Sequence, residues 1–199
     1  MFHTSLYYFV EEVEETLGCV ERDLRKNVKS LRGTSWARLK GDILVRILAK
    51  YLSQVLPPKL RFSEPNSYIE GFPYEYDLLI VKKHSEPMPN TPIYKAEDVM
   101  CGMEVKYHGI ISPTKELENV AKRIKKKFKL VNNAYPHIKF IYITFKEVTE
   151  TKRKASTNFL EVTRYALKPY PVFCLVDSRT SRPRPEDWNK LIEFIKHLK

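Results

Sequence analysis

The sequence predicts an α/β fold: a mixed central β-sheet flanked by helices on both faces, preceded by an extra N-terminal helix. Three observations carry this. Apolar, β-branched and aromatic runs (LLIV at 78–81, HIKFIYITF at 137–145, PVFCLVD at 171–177) read as buried strands. Stretches with helical periodicity separate the later runs, so crossover connections and helices on both faces follow. The chain has 199 residues, of which 43% are hydrophobic, enough for one well-buried domain.

Taken in order, Leu6, Val10, Val13, Leu17, Val20, Leu24, Asn27 and Leu31 alternate spacings of four and three, a heptad-like stripe on one helix. Glu11, Glu12, Glu14 and Glu15 crowd its first half, and Arg22, Arg25, Lys26 and Lys29 its second. That order complements the helix dipole and suits either packing on the core or antiparallel self-pairing. Residues 1–33 are therefore expected as a helical extension and 34–199 as the core. Gly33 breaks the pattern, and Thr34 or Ser35 caps a second helix to about Leu56, stopped by Pro57-Pro58. Residues 59–74 read as an irregular or short-strand connection. A strand at 76–83 and another at 98–108 enclose the loop HSEPMPNTPIYKA, whose three prolines predict a projecting tip or flap. Ser112-Pro113 opens a helix to about Asn132 with Leu117, Val120, Ala121, Ile124, Phe128 and Val131 inward. After the strand at 137–145 come a short helix at 158–167, the strand at 171–177 and a last amphipathic helix at 186–198.

No run is apolar and long enough to span a membrane. The acidic N-terminal region lacks the look of a secretory signal. Cys19, Cys101 and Cys174 are far apart and form neither a disulfide framework nor a zinc pattern. A reduced, cytoplasmic setting is expected. The net charge of +11 favours a polyanionic partner, most often nucleic acid.

The chemistry concentrates between Glu75 and Gly109. Asp77 opens one strand, and Glu104, Val105 and Lys106 lie on the next. Side chains alternate along a strand, so Glu104 and Lys106 share a face. A carboxylate and an ammonium inside an apolar strand must be paired, or must meet a metal or a wet cleft. Two acids on adjacent strands beside a lysine suit metal-assisted phosphodiester hydrolysis. Asp77, Glu104 and the Val105 carbonyl would hold Mg2+, or Mn2+ in its place. Lys106 would orient or deprotonate the attacking water, or stabilise the transition state.

Asp77 followed by Glu104-Val105-Lys106 resembles the PD-(D/E)XK nuclease superfamily, the restriction-endonuclease-like fold. The resemblance covers roughly residues 35–180 in element order but only these residues in motif, and Tyr76 stands where that pattern has proline. It implies that Asp77 and Glu104 bind Mg2+ and that Lys106 is the catalytic lysine. Many members carry a further acid on the first core helix; Asp42 is the candidate there, and Glu70 a comparable one before the first motif strand.

The implied activity is a Mg2+-dependent endodeoxyribonuclease, of type II restriction character, acting on double-stranded DNA as a homodimer. The alternatives are a structure-selective repair nuclease of the junction-resolvase type and a non-catalytic nucleic-acid-binding protein in which Glu104 and Lys106 simply pair. Lys122, Lys125, Lys126 and Lys129, flanked by Arg123 and Lys127, are candidate phosphate contacts on the third helix. Lys152, Arg153, Lys154, Arg179, Arg182 and Arg184 are candidates in loops. An exposed helix face or a cross-strand pair on an exposed sheet would produce the same residues without function.

Overall fold

A computed structural model describes residues 2–27, 34–108, 115–146, 159–177 and 180–198. Helices α1 (Phe2–Asn27) and α2 (Thr34–Leu52) come first. Strands β1 (Leu60–Phe62), β2 (Ser67–Ile69), β3 (Glu75–Tyr76), β4 (Leu78–Lys82) and β5 (Ile93–Tyr94) follow. A 3-10 turn at Ala96–Asp98 leads into the long strand β6 (Val99–His108). Then come α3 (Lys115–Ala134), β7 (Lys139–Lys146), α4 (Phe159–Leu167), β8 (Val172–Val176) and α5 (Pro185–Lys196). No helix among the described residues is long and apolar enough to cross a membrane.

The main sheet has the order β1-β4-β6-β7-β8 and is mixed, as expected. β4 is antiparallel to β1 and β6, whereas β6, β7 and β8 run parallel. The connections dictate this. The β4–β6 link holds no long helix and simply returns the chain, while α3 and α4 supply the crossovers that parallel neighbours need. An extra residue on β6 near Met100 shifts the register between Ile80 and Val81, a bulge that keeps Val81 and Val99 on one face.

Two apolar layers cover the sheet. On one face, Cys101, Met103 and Val105 of β6 meet Leu44, Leu48 and Leu52 of α2 and Leu191, Ile192 and Ile195 of α5. α1 joins this same layer through Leu6, Phe9, Val10, Val13 and Leu17, all buried. Phe9 stacks on Trp188 of α5 at 5.3 Å between ring centroids. The first half of the heptad stripe is thus spent within the chain; Val20 and Leu24 are half-buried, and Lys29 and Leu31 lie outside the described residues. On the other face, Leu79, Phe140, Tyr142 and Cys174 pack under Ile124, Phe128 and Val131 of α3 and Leu160 of α4.

The insert between β4 and β6 differs from the projecting flap its prolines predict. β5 pairs in parallel with β2, and β2 pairs with β3, giving a second, three-stranded sheet β3-β2-β5. Pro87, Pro89 and Pro92 all precede β5, so none interrupts a ladder. Backbone bonds from Met88 to the Ile93 carbonyl and from Thr91 to the Met88 carbonyl turn the segment back on the domain, burying Tyr94 and Ala96. Residues 59–74, expected as an irregular or short-strand connection, hold the three-residue strands β1 and β2.

Gly102 of β6 is required by this packing. A Cβ there would stand 2.7 Å from the Phe140 ring and 3.0 Å from that of Tyr76. Gly102→Ala should cost roughly 1–3 kcal/mol by overpacking. Urea denaturation with an unchanged midpoint would contradict this account of the β6–β7 face.

Candidate active site

Asp77 stands where the chain changes sheets. Residues 75–76 belong to the small sheet and 78–82 to the main one. Continuing the β4–β6 register one step beyond Leu78↔Met103 sets Asp77 opposite Glu104, so the two carboxylates share a face. Once β4 has left the sheet, the Asp77 side chain takes over its ladder role. Its Oδ2 accepts the Val105 N–H at 2.6 Å. Directly opposed like charges destabilise a sheet, so cations must intervene.

Two do. Lys106 Nζ lies 2.8 Å from Asp77 Oδ2 and 2.7 Å from Glu104 Oε1. Lys127 Nζ, arriving from α3, lies 2.6 Å from Glu104 Oε2. Lys127 also donates to the Glu75 carbonyl and sits 4.0 Å from the Tyr76 ring centroid. Tyr76, which replaces the proline of the sequence pattern, is fully buried and stacks on Phe128 and Phe140.

Electrostatics divide the two acids. Burial pushes the Asp77 carboxyl above its ordinary pKa; Lys106 offsets this only in part, and Glu104 adds to it. Burial also disfavours the Glu104 charge, but Lys106 and Lys127 together outweigh it and hold that carboxyl below the usual range. For Lys106, burial is opposed and outweighed by Glu104 and Asp77, so its pKa is raised. Tyr142, in register with Glu104 on β7, has its phenol pushed far up by burial and by the two carboxylates.

Asp77, Glu104, Val105 and Lys106 therefore form one cluster. Glu70 and Asp42 do not join it. The Glu70 side chain is exposed at the end of β2, Asp42 lies half-exposed on α2, and neither bonds to Asp77, Glu104 or Lys106. Among the described residues no third His, Cys, Asp or Glu completes a protein-only metal cage. The donor set nevertheless fits Mg2+, which takes one or two carboxylates and keeps waters, because both acids reach the point that one ammonium fills.

Lys122, Lys126 and Lys129 are exposed on α3 and Lys125 is half-buried, around the turn from Lys127. Arg182 is exposed, and Arg184 is tied to Asp177 at 3.1 Å, in the loop leaving the end of the sheet where His108, Lys146 and Val176 align. Lys152, Arg153, Lys154 and Arg179 lie outside the described residues.

The sequence places Lys127 only on the flank of the basic face. The signal that sets it apart is spacing: it stands three residues after Ile124 and four before Val131, inside the apolar stripe. It is only 8% exposed.

No family model and no curated protein matches the chain. Solved structures share its fold. NucC from P. aeruginosa ATCC27853 in its cAAA-bound form aligns with TM-score 0.58 and 14% identity, covering 97% of this chain and 90% of that one. NucC from E. coli MS115-1 in its cAAA-bound form gives 0.58 and 14%, covering 97% and 89%. Its apo form gives 0.52 and 13%, covering 94% and 92%. The architecture is thus that of the NucC structures.

A lowered carboxylate pKa stabilises the fold while the group is ionised. Glu104 contributes fully above its ordinary 4.5 and loses that contribution as pH falls through its lowered value. Glu104→Gln should therefore lower Tm at neutral pH, with the gap to wild type closing on acidification below that range. Asp77, shifted upward, acts in the opposite sense, so the variant must be compared with wild type at each pH. A gap that stays constant down to strongly acidic pH would contradict the assignment.

Proposed function

We propose that the chain is a Mg2+-dependent endodeoxyribonuclease of restriction-endonuclease-like type, hydrolysing phosphodiester bonds of double-stranded DNA in the cytoplasm as a homodimer. One observation carries this reading. A single ammonium, Lys106 Nζ, touches both Asp77 and Glu104, so the carboxylates converge on one cation-sized point. The shared NucC nuclease fold supports it.

Asp77, Glu104 and the carbonyl of Val105 would hold the ion. A residue in an extended strand directs N–H and C=O to the same side, and the Val105 N–H points at Asp77. Mn2+ would serve in its place. When bound, the ion supplies a water of lowered pKa and offsets charge building on the phosphate. Lys106, on the same face of β6 and 40% exposed at its side chain, orients that water or donates to a phosphoryl oxygen. Asp77, locked by the Val105 N–H, keeps its carboxylate fixed against β6. Lys122, Lys125, Lys126 and Lys129 extend from the helix that supplies Lys127 and would neutralise flanking phosphates. Arg182 and Arg184 would contact DNA from the β8–α5 loop. Two antiparallel strands and one site per chain call for two copies.

Plasmid DNA incubated with Mg2+, with and without cAAA, tests the reading. Wild type should nick or linearise it, and Glu104→Ala and Lys106→Ala should each lose about a hundredfold or more in rate. Cutting confined to four-way junctions would favour the resolvase alternative; binding without cleavage under Mg2+ or Mn2+ would overturn both. Replacing Lys125, Lys126 and Lys129 with alanine should weaken DNA binding uniformly across sequences. The salt slope should drop by about 0.9 for each phosphate that is no longer neutralised.

A further inference from the structure

We propose that Lys127 is a positioning residue of the candidate active site, a clasp that fixes Glu104 against the segment bearing Asp77. What the clasp serves rests on the phosphodiesterase reading above. The geometry joins three elements. Lys127 comes from α3, Glu104 from β6, and Glu75 and Tyr76 from the two residues immediately before Asp77. Its Nζ holds Glu104 Oε2 at 2.6 Å and the Glu75 carbonyl, over the face of the Tyr76 ring.

The two lysines of the cluster differ in accessibility and in what they hold. Lys106, with its side chain 40% exposed, occupies Asp77 Oδ2 and Glu104 Oε1, the oxygens that converge on one point. Lys127, with its side chain 10% exposed, occupies the other Glu104 oxygen and a main-chain carbonyl. A cation or substrate arriving between the acids displaces Lys106 and leaves Lys127 in place. Position 127 lies within the apolar stripe, where leucine would pack without a charge to satisfy. Burying an ammonium is unfavourable unless its donors are met, and here a carboxylate, a carbonyl and a ring face meet them. Without Lys127, Glu104 Oε2 loses its donor and the carboxylate is free to turn from Asp77.

The test uses the full chain carrying Lys127→Met, Lys127→Gln or Lys127→Arg. Mn2+ binding to the metal-free protein is followed by electron paramagnetic resonance, alongside Mg2+ half-saturation of plasmid cleavage and thermal unfolding. Met and Gln should raise the Mn2+ Kd and the Mg2+ half-saturation by about 10- to 100-fold. Arg, which can donate to both oxygens, should recover most of the loss. Met and Gln variants that bind Mn2+ as wild type does, or more tightly, overturn the inference. So do variants that lose only thermal stability, since a merely structural lysine would do that. A wild type that neither takes up Mn2+ nor cuts overturns the nuclease reading itself, and is recognised before any substitution is made.

Discussion

Two carboxylates face each other across adjacent strands, and the local structure is arranged to make that tolerable. Asp77 and Glu104 repel in a low-dielectric setting, so each carboxylate depends on the cations beside it. Lys106 and Lys127 answer this from two directions, one along the strand and one from the helix above. The dependence reaches into the packing. Lys127 needs the Tyr76 ring beneath it, Tyr76 needs Phe128 and Phe140 around it, and those rings need the missing side chain at Gly102.

The sheet divides labour between its faces. One face, covered by α1, α2 and α5, is almost wholly apolar. The other carries apolar residues along most of its length and the ionic cluster where β4 departs. Charge sits at that point because a strand has left, freeing the Val105 N–H for a carboxylate to take up. The same departure gives Asp77 a main-chain partner, a firmer anchor than another side chain would supply.

Much of the fold was legible because its strands are strongly apolar and its crossover helices strongly periodic. Alternation alone put Glu104 and Lys106 on one face. The exact places and pairing of the short strands β1, β2, β3 and β5 were not legible: runs of two or three residues hold no period, and prolines masked the turn that returns β5 to β2. Lys127 reads as the flank of a basic face, because a lysine among lysines looks like solvated surface, although its place in the stripe sets it apart. Asp42, the acid the resemblance points to on the first core helix, and Glu70, the acid just before the motif strand, form no three-residue acidic group with the cluster, because neither a helix position nor chain proximity aims a side chain.

The Phe9–Trp188 stack and the bond from Trp188 to Ser5 join residues 179 and 183 apart in sequence. On the ribosome, α1 emerges long before α5 exists, a delay on the order of ten to forty seconds at ordinary elongation rates of about 5–20 residues per second. Throughout that interval α1 has α2 as its early helical neighbour, and the sheet face that α5 later covers stays bare. Closure of that layer waits until α5 has been made. A translation product stopped before Trp188 keeps the motif residues yet lacks the cover beneath the strands that carry them.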